Sequence, residues 1–329
     1  MNRISICFVL LAGSVIAGFC FSMLSWSSFP LSRVHLWGYL TAFDSNNMEQ
    51  QILATLRAPR VYASMLIGAN LAIAGVLMQG LTRNPLASPS VLGINAGAAC
   101  GMALSSIGFL SLDSVPNVVV ASAGGIASGV LVMLLGGFFS PRPHPLKLVL
   151  AGIAVNALLI GMTRASVILA DDMAYSVIYW LSGSVSNIEW QQWHQLWPVS
   201  LVGIAISIAI ARHLNLIALG DDVAIGLGLN VAFTRLCACV AIVLLTGVSV
   251  SVAGPIGFVG LIVPHVMRQL VGNNALLLIP ASGLGGALLM VWADGLSRGI
   301  AFPAETAVGV ITALIGTPCF ILLAVRSRL

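Results

Sequence analysis

Residues 219–253 read LGDDVAIGLGLNVAFTRLCACVAIVLLTGVSVSVA. The second half holds no charged side chain from Leu236 to Ala253. A run of that length, close to the roughly 20 apolar residues needed to cross a bilayer, reads as a membrane-spanning helix. The first half is its opposite. It pairs Asp221 with Asp222, then places Gly226, Gly228 and Asn230 before the apolar run begins. An acidic, glycine-marked interruption between two long apolar stretches is the pattern of a short segment outside the membrane.

The same alternation continues along the chain. The 329 residues are 59% hydrophobic and 7% charged, against roughly a quarter charged in ordinary soluble domains. Ten candidate spans follow: 4–26, 61–80, 90–110, 117–139, 147–170, 193–211, 235–253, 256–271, 276–297 and 304–325. The runs do not alternate with period two, which argues against a β-barrel. We therefore expect an all-α polytopic membrane protein of about ten transmembrane helices, with residues 1–329 as one membrane domain. The 256–271 span is the shortest and holds Pro264, His265 and Arg268. The opening MNRISICFVLLAGSVIAGFC resembles a secretory signal, but its apolar run continues to about Trp26 and Phe19 stands before Cys20, so it reads as a retained first helix.

An even number of spans puts both termini on one side. With the termini in the cytoplasm, the inner face holds Arg3, Arg83, Arg142, Lys147, Arg212, Arg235, Arg268, Arg326 and Arg328, nine of the fourteen basic residues. The outer face holds Arg33, Arg57, Arg60 and Arg298, and Arg164 falls inside a span. The positive-inside rule selects this orientation, and it places 219–230 in the cytoplasm.

Several functions are excluded. The single lysine, Lys147, follows no glycine-rich run, so there is no P-loop. Energy from ATP would have to enter through another chain. The five histidines are scattered and form no H-E-x-x-H pair. The six cysteines lie in apolar runs without metal-ligand spacing and read as packing residues.

Some residues depart from the apolar pattern. Arg57 and Arg60, in LRAPR, and Arg298, in ADGLSRG, sit on the outer face against the charge rule. They read either as side chains snorkelling to headgroups or as a patch that docks an acidic partner, for which the guanidinium fork is suited. Asp294 lies four residues before Arg298, in reach on one helix. Arg164, in LLIGMTRASVILADD, sits in the fifth span, where an arginine costs about 2.5–3.5 kcal/mol on insertion scales. It reads as a paired lock between helices or as a cationic element in a pathway for anionic cargo, with Asp171 and Asp172 near the outer end. Asp221 or Asp222 could cap a short helix or sit at its positive end, and Gly226 and Gly228 could turn the chain. The stretches TRNPLASPS (82–90) and SVAGPIGFVGLIVPHVMR (251–268) mix proline and glycine and suggest broken helices, tolerated where protein or a cavity satisfies the backbone.

Taken together, LRAPR, GANLAIAGVLMQGLTRNPLASPSVLGINAGA, ALGDDVAIGLGLN, SVAGPIGFVGLIVPHVMR and ADGLSRGIAFPAETAVGVITALIGTPCFI resemble the permease subunits of type II ABC importers for iron–siderophores, haem and vitamin B12. The likeness covers nearly the whole chain. Within the family, LVLAGIAVNALLIGMTR, YWLSGSVSNIEWQQ and IGTPCF look most like the ferric citrate permeases. The resemblance implies a bacterial inner-membrane subunit that performs no chemistry on its cargo and binds no cofactor itself. Its partners would be a second permease, homologous or identical, an ABC ATPase dimer that uses ATP, and a periplasmic solute-binding protein that delivers a ferric siderophore. No nucleic acid is implied. Arg57, Arg60 and Arg298 would dock the binding protein, and Arg164 would lie near the cargo between paired permeases. Asp221, Asp222, Gly226, Gly228 and Asn230, within about 214–235, would couple to the ATPase. Catecholate, haem and cobalamin permeases share these features. A secondary transporter is the alternative of another class, and would need ion-coupling charges at mid-membrane, to which only Arg164 and Asp294 come close.

Overall fold

The computed structural model describes residues 3–27, 29–107, 115, 117–137, 145–169 and 174–326. Asp171, Asp172, Arg142 and Arg328, and the ends of three candidate spans, lie outside the described residues. Among the described residues every regular element is helical. The first part of the chain forms α1 (Arg3–Leu24), α2 (Arg33–Thr41), α3 (Met48–Ile52), a π-helical turn over Leu53–Arg57, and α4 (Ala58–Thr82). A 3-10 turn over Pro89–Leu92 leads to α5 (Ile94–Ser106), α6 (Asn117–Leu135), α7 (Pro145–Leu169) and α8 (Ala174–Leu181). The remainder is α9 (Trp190–Ala209), α10 (Ala211–Ile217), α11 (Asp221–Gly226), α12 (Val231–Ala253), α13 (Val259–Val271), α14 (Ala275–Ile300) and α15 (Val308–Arg326).

Each of the ten expected spans meets one helix. Among the described residues six helices are long and apolar enough to cross a membrane, and the pair α9–α10, bent by 50°, makes a seventh if it counts as one span. The spans expected at 90–110 and 256–271 are shorter than expected. Helices α5 and α13 have 13 residues each, about 20 Å at 1.5 Å per residue, against a hydrocarbon core of about 30 Å. The cause is local. Pro85 and Pro89 precede α5 and the backbone turns at Gly93, with φ of 71°. Ahead of α13, Gly254 ends α12 with φ of 71° and Pro255 follows it. Asparagine and serine side chains start other helices: Ser32 caps α2, Asn47 caps α3, Asn230 caps α12 and Asn274 caps α14.

Helix α4 is the core of the bundle and packs along α14, α12 and α13. Its closest approaches are made by glycine. A methyl group on Gly68 would collide with the Gly286 backbone of α14, and one on Gly75 with the Gly260 backbone of α13. Between helices in lipid, where the apolar driving force is weak, such close backbone packing is a main source of association. The buried Asn70 in α4 donates to Ser200 Oγ of α9 at 2.7 Å and to Ser249 Oγ of α12 at 3.1 Å. One polar side chain thus fixes the rotation of three helices.

The directions of the helices define two ends. The end of α1, the start of α4 and the end of α14 meet at one of them, through contacts among Ser22, Arg60 and Asp294. The end of α4, α11 and the start of α12 meet at the other, through Arg83, Asp221 and Arg235. Helix α1 therefore begins, and α15 ends, on the α11 side.

Candidate functional site: an arginine cluster at one end and a short helix at the other

Arg57 and Arg60, at the start of α4, converge with Arg298, near the end of α14. All three line a cavity of about 430 Å³, together with Glu189 and Glu305. Their roles in it differ. Arg298 is 1% exposed and lies against Asp294, which is 0% exposed, with Nη2 2.9 Å from Oδ2. The same nitrogen donates to Ser22 O at 2.7 Å and to Ser22 Oγ at 2.6 Å, and Nη1 donates to Ser25 O at 3.4 Å. The expected pairing of Asp294 with Arg298 across one helical turn is present. The Arg298 guanidinium is engaged inside the protein, where it ties the end of α14 to the end of α1.

Arg60 is also buried. Its Nε donates to Asp294 Oδ1 at 2.7 Å, and its Nη1 reaches Glu305 Oε1 and Oε2 at 3.0 and 2.8 Å. Asp294 so takes both arginines and the Ser22 hydroxyl at 2.8 Å. Two cations and two carboxylates balance, which is the condition for charges to persist at such depth. Arg57 has no carboxylate partner among the described residues, and its Nη2 donates to Trp26 O at 3.0 Å. It carries the uncompensated charge of the cluster. The π-helical turn that precedes α4 ends on it, and Pro59 occupies the first turn of α4. Sequence reasoning missed Glu305 and Ser22. Glu305 had a signal: it is one of only ten acidic residues and follows Arg298 by seven positions.

At the other end Asp221 begins α11. The expected capping role is corrected: the N-cap is Gly220, and no side chain caps the helix. Asp221 and Asp222 occupy the first turn, where negative charge suits the helix dipole. Asp221 also bridges two arginines, one oxygen on Arg83 and the other 2.7 Å from Arg235 Nη2. Arg83 further donates from Nε to Ile217 O at 3.1 Å. The turn after α11 is made at Gly228, with φ of 82°, while Gly226 completes the helix in ordinary geometry. Asn230 caps α12 by accepting from Phe233 N at 3.0 Å. The segment presents Leu219, Val223, Ile225, Leu227 and Phe233 as exposed apolar side chains. A polar, charge-clamped base with an apolar outer face is the form of a contact surface.

Arg164 lies apart from both clusters. It is exposed on α7, five residues before the last residue of that helix, and makes no ion pair among the described residues. Only 22% of the most apolar window of α7 is buried inside the chain. The reading of Arg164 as a paired lock within this chain therefore has no partner among the described residues.

The chain as a whole is similar to known proteins. Residues 14–326 match the model of the FecCD transport family. The Fe(3+)-citrate import system permease protein YfmD of Bacillus subtilis is 42% identical, over 93% of this chain and 90% of its own. The Fe(3+) dicitrate transport system permease protein FecC of Escherichia coli is 42% identical, over 97% of this chain and 98% of its own. A solved metal-chelate type ABC transporter in an inward-facing conformation superposes with a TM-score of 0.84 at 28% identity, covering 99% of this chain and 100% of that one. The chain belongs to the FecCD transport family and is a membrane permease subunit, not an enzyme.

Proposed function

We propose that this permease carries an anionic ferric chelate of the citrate type across the bacterial inner membrane into the cytoplasm. The observation that carries the reading is the polarity of the bundle. A buried arginine–carboxylate cluster stands at one end, beside Arg57, a cation without a carboxylate partner among the described residues. A six-residue helix with an apolar outer face stands at the other. Positive-inside counting supports a cytoplasmic location for the α11 end and both termini. There α11 would seat on an ABC ATPase dimer, and Asp221, Asp222, Gly226, Gly228 and Asn230 would form and hold that contact. At the periplasmic end, Arg57 would meet an acidic residue of a solute-binding protein directly. Arg60 would share its fork between that partner and Glu305, and Arg298 would hold the platform from beneath.

The exposed arginine on α7 supports a pathway between this chain and a second permease subunit. Arg164 stands about 7 Å from the end of its helix by axial rise. An arginine on an apolar surface at that depth requires water or an anion, which an anionic chelate supplies. The two relatives named for ferric citrate support that cargo.

The test is uptake of radiolabelled iron in a strain without its own ferric-chelate permeases. The chain is expressed with its ATPase, second permease and binding protein, and ferric citrate is compared with a ferric catecholate, a ferric hydroxamate, hemin and cobalamin. Saturable, ATP-dependent uptake of ferric citrate is expected. Uptake of cobalamin or hemin with none of ferric citrate overturns the cargo, and uptake that continues without the ATPase overturns the mechanism.

A further inference from the structure

Beside α11 lies a cavity of about 300 Å³ between α4, α10, α13 and α14, which shares only Arg83 with the α11 clamp. Gln79, Arg83 and Arg268 line its polar side, and Val76, Leu214 and Leu278 its apolar side. Arg268 is short of acceptors. Its Nη2 donates to Gln79 Oε1 at 2.9 Å, and no carboxylate pairs with it among the described residues. A guanidinium has five N–H donors, and among the described residues Arg268 has a side-chain acceptor for one of them, Gln79 Oε1. Gln79 is itself 3% exposed and is held by its Nε2 bond to Leu261 O at 3.3 Å, so its oxygen keeps the arginine aimed. Arg83 spends its Nε on Ile217 O and its Nη2 on Asp221. Asp221 already divides its charge between Arg83 and Arg235. Two guanidiniums, Arg83 and Arg268, therefore line the cavity, and no carboxylate lines it among the described residues.

We propose that this cavity binds the phosphate of an anionic phospholipid headgroup. Guanidinium groups bind phosphate oxygens in paired, charge-assisted hydrogen bonds. The site lies where α4 leaves its apolar run, and basic pockets between membrane helices are a recurrent place for anionic lipids. The apolar wall accepts the first carbons of the lipid tails, which a free phosphate would leave uncovered.

The test is native mass spectrometry of the full chain reconstituted with phosphatidylglycerol or with phosphatidylcholine, each released from detergent under the same conditions. One retained phosphatidylglycerol is expected, favoured over phosphatidylcholine by about tenfold, the ratio for one charge-assisted contact worth about 1.4 kcal/mol. Arg268→Gln abolishes the preference, and Arg268→Lys, which keeps charge without the fork, retains part of it. Equal retention of the two lipids by the wild-type chain overturns the proposal without recourse to a variant. So does an unchanged preference in a folded Arg268→Gln chain. Displacement of the lipid by millimolar inorganic phosphate would make the site one for free phosphate and overturn the lipid assignment.

Discussion

Replacing Arg298 by methionine tests the claim that this arginine is a structural tie rather than a contact surface. Methionine keeps much of the side-chain length and removes the charge. In the structure it deletes the ion pair to Asp294 at 2.9 Å and the bonds to Ser22 O and Ser22 Oγ at 2.7 and 2.6 Å. Breaking a buried pair costs about 3–5 kcal/mol, mostly because the remaining charge is stranded. Asp294 keeps Arg60 at 2.7 Å and Ser22 Oγ at 2.8 Å, so the loss falls near the lower limit, about 3 kcal/mol. Charge balance then sets the outcome of a second change. Adding Asp294→Asn removes the stranded carboxylate and leaves Arg60 with Glu305, one cation and one anion. The double variant should therefore lose less than the sum of the two single losses, with a coupling of about 2 kcal/mol. The assay is equilibrium unfolding in mixed micelles of increasing SDS content, followed by tryptophan fluorescence, to which Trp26 and Trp292 beside the cluster contribute. A loss below about 1 kcal/mol for Arg298→Met, or additive losses in the cycle, would refute the reasoning.

Three further predictions concern the proposed contacts. Arg57→Glu should weaken docking of the solute-binding protein by about tenfold or more at low salt, with the difference shrinking as salt rises; surface plasmon resonance across a salt series measures it, and unchanged docking would return Arg57 to headgroup snorkelling. Asp221→Asn removes both clamps on α11, whose six residues cannot hold a helix alone. Amide exchange over 221–226 should then quicken by about tenfold, as expected for two half-exposed pairs worth together about 1–2 kcal/mol, and exchange at the wild-type rate would show that the clamps are idle. Arg164→Ala should lower uptake of the anionic chelate more than it lowers recovery of the assembled transporter, and equal losses would make Arg164 a lock between subunits.

The apolar runs made the membrane helices legible because a span needs only length and composition. The Asp294–Arg298 pair was legible too, since a separation of four residues on a helix has one geometry. The breaks before α5 and α13 showed in Pro85, Pro89, Gly254 and Pro255, although how much helix they remove did not. What escaped the sequence are meetings between distant residues. Ser22 and Asp294 are 272 positions apart, and nothing along the chain marks one for the other. The same holds for Gly68 with Gly286 and for Gly75 with Gly260, which look like any other small residues until two backbones touch. The arginines were singled out by their side of the membrane and by family resemblance. Neither could tell that Arg298 is spent internally, Arg60 is shared and Arg57 is open.

Helix α4 has a mechanical meaning. Its 25 residues make a rod of about 37 Å. Arg60 sits in its first turn, and Arg83 terminates it within reach of Asp221. Along its length it is keyed to α13 and α14 where backbone meets backbone, so it cannot slide past them without opening those contacts. Under the proposed function, a push at one end would arrive at the other as displacement of the whole rod. The rod is keyed to its neighbours by glycines, and an arginine stands near each of its ends.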